Sequence, residues 1–218
     1  MQQPMANIMN RSIQHLSLVA FTGALALIPS ITNAQGPVFG VKGGVTLSNL
    51  YSGDVDDKNG RIGFNLGVLA RTDPEQPIGL QLELLYTTKG ETFTYDGFFI
   101  DQEFKLNLNY VDLPVMVSLR AGEALEFQGG LYAGLLLGSN LTSSGDLGTS
   151  SDVLDKDNFN ALDYGLVGGV AFNAGALQVG ARYNYGLSKL ASSDGAEAIL
   201  GDAKNAYAQL YVAFGFGQ

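Results

Sequence analysis

The chain has 218 residues, with 12 Lys and Arg against 21 Asp and Glu, so its formal net charge is -9. Charged residues make up 15% of the sequence, against about 25% in an average soluble domain, which leaves little polarity for a water-facing surface. The acidic balance and the absence of a basic stretch argue against a nucleic-acid partner. Disulfide and thiol chemistry are excluded because the chain has no cysteine.

Residues 1–34 have the pattern of a secretory signal peptide, in which a basic residue precedes an apolar stretch and small residues precede the cleavage point. Arg11 precedes the apolar segment 16–31, and small residues lie just before Gln35. The apolar segment is shorter than the roughly 20 residues that a membrane-spanning helix needs. We therefore expect cleavage after residue 34 and one exported domain, residues 35–218, with an uncleaved anchor as the alternative.

The exported sequence alternates apolar and polar residues in eight segments, as β-strands with two unlike faces do. Tight connections follow the second, fourth and sixth segments, at residues 72–77, 121–124 and 173–176. Long connections follow the first, third, fifth and seventh, at residues 50–60, 90–103, 139–158 and 189–205. This pattern predicts an all-β fold, an eight-stranded antiparallel up-and-down transmembrane β-barrel with short periplasmic turns and long extracellular loops.

The fourth segment changes the parity of its apolar positions. Leu106 and Leu108 are apolar at even positions, whereas the apolar residues from Val111 onward occupy odd ones. We interpret the change as a β-bulge at Tyr110 and Val111 that restores a single apolar face. Pro114 lacks an N–H group and fits the locally disrupted ladder that a bulge creates.

The composition of the two faces indicates which one contacts lipid. The polar face is rich in glycine, which makes room inside a narrow eight-stranded barrel. All eleven strand charges are assigned to this polar face, and an Arg or Lys facing lipid at the bilayer midplane would cost about 2 to 4 kcal/mol. We therefore expect the apolar face to contact lipid and the polar face to line the lumen. The eleven charges are Lys42, Arg61, Arg71, Glu83, Lys89, Lys105, Asp112, Arg120, Glu126, Asp163 and Arg182.

Aromatic residues near the strand ends, on the apolar face, are typical of an interfacial girdle. They are Phe39, Tyr86, Phe104, Phe159, Tyr185 and Phe216. The four long loops together carry a charge of -10, and the rest of the exported sequence is balanced. The sequence therefore predicts an acidic external rim over a neutral barrel.

Eight of the inward charges are the candidate functional residues. We expect them to form a packed, mutually neutralising charge network, because unpaired charges are costly in a confined medium. The alternative is a path for protons or ions through the barrel. The network would comprise Lys42, Arg61, Glu83, Asp112, Arg120, Glu126, Asp163 and Arg182.

Neither catalysis nor a metal site is expected. The exported sequence has no histidine, the residue on which proton transfer at neutral pH most often depends. Residues 54–60 superficially resemble a calcium loop, but Asn59 replaces the turn glycine and Asn65 replaces the bidentate glutamate. Loose binding of divalent ions by the acidic loops, as bridges to anionic polysaccharide, stays open. We expect no enzyme activity, no cofactor and no specific metal.

Several stretches resemble the PorT-like outer-membrane β-barrel family of Bacteroidetes-type bacteria. NYVDLPVMVSL at 109–119 resembles that family's Tyr-x-Asp/Glu-hydrophobic-Pro strand, and GARYNYGLSKL at 180–190 resembles its Arg-Tyr-x-x-Gly-Leu-Ser strand end. FGVKGGVTLSNL at 39–50 and YGLVGGVAF at 164–172 resemble its first and sixth strands. The resemblance implies a cell outer-membrane location and an accessory role in secretion.

Three functional hypotheses follow. The favoured one is a non-enzymatic outer-membrane barrel with a filled polar lumen, whose acidic loops at 50–60, 90–103, 139–158 and 189–205 engage a surface glycan or a protein partner. The second is a narrow channel for small solutes or ions. The third is a soluble periplasmic barrel that binds a ligand in an apolar cavity.

Overall fold

The computed structural model describes residues 36–51, 59–72, 76–96, 101–145, 150–154, 159–192 and 201–216. These residues form nine antiparallel strands: β1 (Val38–Tyr51), β2 (Asn59–Arg71), β3 (Ile78–Asp96), β4 (Asp101–Ala121), β5 (Leu125–Gly145), β6 (Ser150–Leu154), β7 (Leu162–Ala174), β8 (Leu177–Gly186) and β9 (Lys204–Phe216). Within the described ranges, no helix is long and apolar enough to cross a membrane. The expected signal peptide at residues 1–34 lies outside the described residues.

Eight of the strands close into a ring. β1 pairs with both β2 and β9, and β4 pairs with β5, so the sheet has the cyclic order β1-β2-β3-β4-β5-β7-β8-β9. The predicted eight-stranded antiparallel barrel is confirmed. The turn end of the barrel is the end that carries the tight turns, where β1 begins and β9 ends. The opposite end is the loop end. Gly122 and Gly175, with φ of 73° and 61°, occupy left-handed positions in two tight turns.

The prediction of long loops at 139–158 and 90–103 is partly wrong. β5 continues to Gly145, and residues 150–154 return beside it as β6. β3 and β4 likewise stay paired as far as Asp96 and Asp101. Alternating threonine and aromatic residues in this stretch have high strand propensity, which outweighs the polar composition that suggested a loop.

These extensions form a small sheet beyond the barrel wall. A transmembrane strand needs about 9 to 11 residues, and β8 has 10. β3 has 19 residues, and β4 and β5 have 21 each. The loop-end sheet is defined as residues 91–96, 101–109, 138–145 and 150–154.

The outer surface of the barrel is apolar on every wall strand. Ile62, Leu131 and Leu210 are 61 to 73% exposed, and large apolar side chains repeat at alternate positions around the ring. The ionic side chains of the wall are instead buried inside, including Lys42 and Glu83 at 1% exposure each. The predicted orientation of the two faces is confirmed.

The predicted β-bulge at Tyr110 and Val111 is wrong. β4 keeps one alternation throughout, so Leu106, Leu108 and Tyr110 lie inside the barrel with Asp112. The register between β4 and β5 does shift at this height, but the additional residue is Leu137 on β5. The apolar residues at even positions therefore pack in the interior at the loop end, instead of facing lipid.

Inward glycines provide the space that the interior side chains occupy. A Cβ atom on Gly180 would lie 2.5 Å from Cζ of Tyr211. A Cβ atom on Gly134 would overlap the carboxylate of Asp112. Large polar side chains fit inside this narrow barrel because the neighbouring strands have no side chain at these positions.

Candidate functional site: the barrel interior

A first ion cluster, the turn-side cluster, crosses the middle of the barrel. The Glu83 Oε2 atom accepts hydrogen bonds from Nζ of Lys42 at 2.9 Å and from Nη1 of Arg182 at 2.7 Å. Gln81 donates to the other Glu83 oxygen at 2.6 Å. The ring of Tyr211 lies 3.9 Å from the Lys42 Nζ atom and 4.6 Å from the Arg182 Cζ atom, so both cations also contact an aromatic face.

Amide side chains extend this cluster toward the turn end. Gln128 accepts from Nε of Arg182 at 2.8 Å and donates to Glu126 at 2.7 Å. Asn173 donates to the second Glu126 oxygen at 3.0 Å and accepts from Arg71 at 3.0 Å. Inward positions of six wall strands are thereby joined by a continuous chain of hydrogen bonds, in which Gln128 and Asn173 link the charged groups.

A second cluster, the loop-side cluster, is centred on Lys89. Its Nζ atom lies 2.9 Å from Asp112 Oδ1 and 3.0 Å from Asp163 Oδ2, and its side chain is fully buried. Ser188 and Asn205 donate to Asp163 at 2.9 and 3.0 Å. One cation is thus shared by two carboxylates, and hydroxyl and amide donors satisfy the remaining oxygens.

Three tyrosines surround Lys89. The ring centroids of Tyr110, Tyr132 and Tyr207 lie 4.4, 5.0 and 4.4 Å from its Nζ atom. Tyr207 also donates its hydroxyl to Asp112 at 3.0 Å, from the opposite side of the ring of strands. Aromatic faces stabilise a desolvated ammonium group, which helps this cluster hold a charge away from water.

The structure places all eight candidate residues on inward positions, but not in a single network. Lys42, Glu83 and Arg182 meet in one cluster, and Asp112 and Asp163 meet in the other. Glu126 joins the first through amides, with Arg120 3.7 Å from its Oε2 atom. Arg61 is half-buried and donates to the backbone carbonyl of Lys89 at 2.9 Å.

The sequence-based candidate set missed Lys89 and the four inward tyrosines. Lys89 is one of the eleven strand charges of the sequence, and its position on the polar face is the signal that identifies it as inward. Tyr110 lies two residues before Asp112 on the same strand, so that pair shares a face in any continuous strand. The inferred bulge separated them. Tyr132, Tyr207 and Tyr211 also share parity with inward polar residues of their strands.

An apolar cluster, the loop-end cap, closes the interior above Lys89. It comprises Leu106, Leu108, Tyr110, Leu136, Phe159, Leu190 and Ala203. Segments beside the barrel wall fold inward to complete it, with Asn160 N donating to Leu190 O and Leu190 N donating to Ala203 O at 2.8 Å each. The predicted filled polar lumen is therefore apolar at its loop end, and Phe159 belongs to this cap instead of the girdle.

Two ion pairs lie on the outer surface near the loop end. Lys105 does not face the lumen as predicted: its side chain is 48% exposed, and its Nζ atom is 2.6 Å from Glu103. Continuity of the β4 alternation places this odd position outside. Lys189 pairs with exposed Asp202. The hydrogen bond and the positive charge of Lys189 hold the pKa of the Asp202 carboxyl below its usual value.

The two ion clusters of the interior pair buried cations with carboxylates. The described residues include no group of three or more His, Cys, Asp and Glu side chains suited to a metal ion. Most of the segment that resembles a calcium loop, residues 54–60, lies outside the described residues. The carboxylates of both clusters are each engaged by cations or amide donors, an arrangement that holds charge in place.

The family described as an outer membrane protein beta-barrel domain matches residues 33–192. The chain belongs to this outer-membrane β-barrel family. No curated protein matches the chain significantly.

Several solved outer-membrane proteins match this chain at low sequence identity. Ail, the attachment invasion locus protein of Yersinia pestis in complex with the heparin analogue sucrose octasulfate, is 20% identical, with 84% of this chain and all of that chain covered and a TM-score of 0.47. Neisserial surface protein A is 17% identical over 84% of this chain and all of its own, with a TM-score of 0.46. OprG from Pseudomonas aeruginosa is 15% identical over 87% of this chain and all of its own, with a TM-score of 0.41.

The protein is thus an outer-membrane barrel of the cell envelope. In such barrels the short turns face the periplasm and the longer connections face the exterior. The alternative of a soluble periplasmic ligand-binding barrel is wrong, because the apolar side chains lie outside and the ion pairs inside. Aromatic residues expected at the interface do face outward at both ends, Phe39 and Phe216 at the turn end and Tyr86 toward the loop end.

Proposed function

We propose that this barrel is a non-enzymatic, non-conducting surface protein that binds a glycan or protein partner at its loop end. The observation that carries the proposal is the loop-end sheet, which continues β3, β4 and β5 well past the length that a bilayer requires. Among the described strands, β6 pairs on one side only, with β5. An external sheet with an open edge offers backbone groups and alternating side chains to a partner.

The ionic side chains inside the barrel serve, in this proposal, to hold the wall together. Lys42, Glu83, Lys89 and Arg182 have side chains with no exposed area, and the loop-end cap covers them on the external side. Ion transport would require a wet path past these groups. Their burial favours a structural role over the alternative of a narrow channel.

The charge of the external connections restricts the chemistry of the partner. The stretches 50–60, 90–103, 139–158 and 189–205 sum to -10, of which the buried Glu91 contributes one negative charge. Such a surface attracts a cationic protein surface and repels a polyanion, unless divalent cations bridge the two. A basic protein segment or a neutral glycan therefore fits better than a sulfated glycan in the absence of divalent ions.

A second candidate function is an accessory role in secretion, as the resemblance to PorT-like proteins implies. Two of the stretches that carry the resemblance supply residues to the ion clusters. Tyr110 and Asp112 of NYVDLPVMVSL contact Lys89, and Arg182 of GARYNYGLSKL binds Glu83. Deletion of the gene with measurement of the secreted proteins would test this role. In the parent strain, N-terminal sequencing of the membrane-inserted protein would test the proposed cleavage after residue 34.

Two measurements test the main proposal. In planar bilayers the purified barrel should give no steady openings, and stable single-channel steps would contradict a closed interior. Proteoliposomes should bind a basic protein such as cytochrome c at low salt through the loop end. A variant with Asp96, Asp101 and Glu103 changed to Asn, Asn and Gln should bind less. The matched control changes Glu123, in a turn at the opposite end, to Gln and should bind as the wild type does.

A further inference from the structure

We propose that the turn end of the interior contains a binding site for a small oxyanion, built on Arg71 and Arg120. The first indication is an imbalance of charge. The described inward side chains of the turn half include four cations, Lys42, Arg71, Arg120 and Arg182, and two carboxylates, Glu83 and Glu126. The excess of positive charge lies toward the mouth, because Glu83 is already shared by Lys42 and Arg182.

The contacts of the two outer arginines leave both incompletely paired. Among the described residues, Arg71 has no carboxylate partner, and its Nη1 atom donates to the neutral Asn173 side chain at 3.0 Å. Nη2 of Arg120 is 3.7 Å from Glu126, well beyond the roughly 2.7 to 2.9 Å of a charge-assisted hydrogen bond. Glu126 instead accepts from amide groups, at 2.7 Å from Gln128 and 3.0 Å from Asn173.

Each of these arginines also has a buried donor without an acceptor. The Nε atoms of Arg71 and Arg120 make no hydrogen bond, and the Arg71 residue is 8% exposed. Buried N–H groups without partners are rare and costly, so such groups at a mouth indicate a missing acceptor. The Nε and Nη2 atoms form the edge of guanidinium that binds phosphate or carboxylate through two parallel hydrogen bonds.

Both arginines lie close to the turn end of the barrel. Gly215 lies beside Arg71, and a Cβ atom added there would be 2.9 Å from Cγ1 of Val38 and 3.6 Å from Nη2 of Arg71. Arg71 is the last residue of β2, and Arg120 is one residue from the end of β4. A periplasmic solute would therefore reach them without crossing the lumen. Glu123, in the adjoining turn, is exposed, so solvent screens its repulsion of an anion.

The ligand class is a phosphate or carboxylate group of a periplasmic solute. A modest rotation of the arginine side chains would bring their free edges to the bound oxygens. Glu126, whose Oε2 atom is 3.7 Å from Nη2 of Arg120, remains as a counter-charge beside the site. This site is separate from the proposed binding role, which concerns the opposite end of the barrel.

Thermal unfolding of the full chain in detergent micelles tests the site. Inorganic phosphate should raise the melting temperature in a saturable way, compared with sodium chloride at equal ionic strength. A parallel titration with sodium acetate tests binding of a carboxylate group. A response to phosphate alone assigns a phosphate group, and a response to acetate alone assigns a carboxylate. Equal melting temperatures in phosphate, acetate and chloride would overturn the proposal.

Variants locate the site. Arg71→Gln and Arg120→Gln should each weaken the saturable effect at least tenfold, and Arg71→Lys should weaken it as well, because lysine keeps the charge but lacks the planar fork. The matched control Lys105→Gln removes an exposed cation at the other end and should respond as the wild type does. For variants whose unfolding is altered, isothermal titration calorimetry measures the affinity for phosphate directly. Equal affinity in the arginine variants and the control would identify an adventitious ion only and refute the site.

Discussion

Arg182 and Glu83 meet across the full width of the barrel. Their Nη1 and Oε2 atoms are 2.7 Å apart, although the residues are 99 positions apart in sequence and their strands, β8 and β3, lie diametrically opposite in the ring of eight. Lys42 reaches the same oxygen from β1. One carboxylate thereby links β1, β3 and β8. The long side chains that meet there fit because neighbouring inward positions are glycine.

Arg182→Leu should destabilise the barrel without making it conduct ions. Removing one partner of a buried ion pair commonly costs about 3 to 5 kcal/mol, and Lys42 and Gln81 still engage Glu83, so we expect a loss near the lower end. Urea unfolding in lipid vesicles measures it, and bilayer recordings should remain silent. Lys105→Leu, which removes an exposed cation, should cost at most about 1 kcal/mol. An unchanged unfolding midpoint for Arg182→Leu would count against pairing as its role.

Lys89→Met should destabilise the barrel more than Arg182→Leu does. The change leaves Asp112 and Asp163 without the cation that they share at 2.9 and 3.0 Å. Adding Asp163→Asn to Lys89→Met should recover part of the loss, because it removes one uncompensated carboxylate. A double-mutant cycle in vesicles measures this coupling. Strictly additive effects of the two changes would show that the residues do not act as a pair.

Gly180→Ala should impair folding, because its Cβ atom would lie 2.5 Å from Cζ of Tyr211. The Tyr211 ring lies beside Lys42 and Arg182 and has little room to move. Gly168→Ala is the matched control: it faces outward, and the nearest atom to an added Cβ is the carbonyl of Gln128 at 3.8 Å. Folding yield, measured by heat-modifiable gel migration, should fall for the first variant alone. Equal yields would mean that the interior has more space than the structure indicates.

Spin labels at Leu66 and Leu135 should contact lipid. Both side chains are more than half exposed on the outer wall, and the chain contains no cysteine that would compete for labelling. Paramagnetic relaxation should show high accessibility to oxygen and low accessibility to a water-soluble nickel complex. A label at Lys105, on the external side, should show the reverse. Nickel accessibility at Leu66 or Leu135 would contradict a lipid-facing position.

The sequence predicted strand number and strand faces well because a period of two is a local property of extended backbone. It failed in β4 because alternation shows which residues are apolar, but it does not show whether an apolar side chain contacts lipid or packs against protein. Leu106 and Leu108 are apolar and inward, since Phe159 and Leu190 fold over them from distant connections. No local pattern in residues 104–110 distinguishes this arrangement from a bulge.

The arrangement of the eight candidate residues was likewise predictable only in part. Their inward positions followed from alternation, but their partners did not. Whether Glu83 binds Lys42, Arg120 or Arg182 depends on the stagger of strands around the ring, which the sequence of a single strand does not contain. The same stagger places Lys89 among three tyrosines.

The sequence by itself determined a barrel with an apolar outside and a glycine-rich, ionic inside, because burial in lipid and the extended backbone dictate residue type at every second position. The tertiary structure alone decided the rest. Ring closure brought β3 and β8 into contact across the interior, separated the charges into two clusters, and covered the external end with apolar side chains. These outcomes depend on distances between residues far apart in the chain, and a one-dimensional pattern carries no such distances.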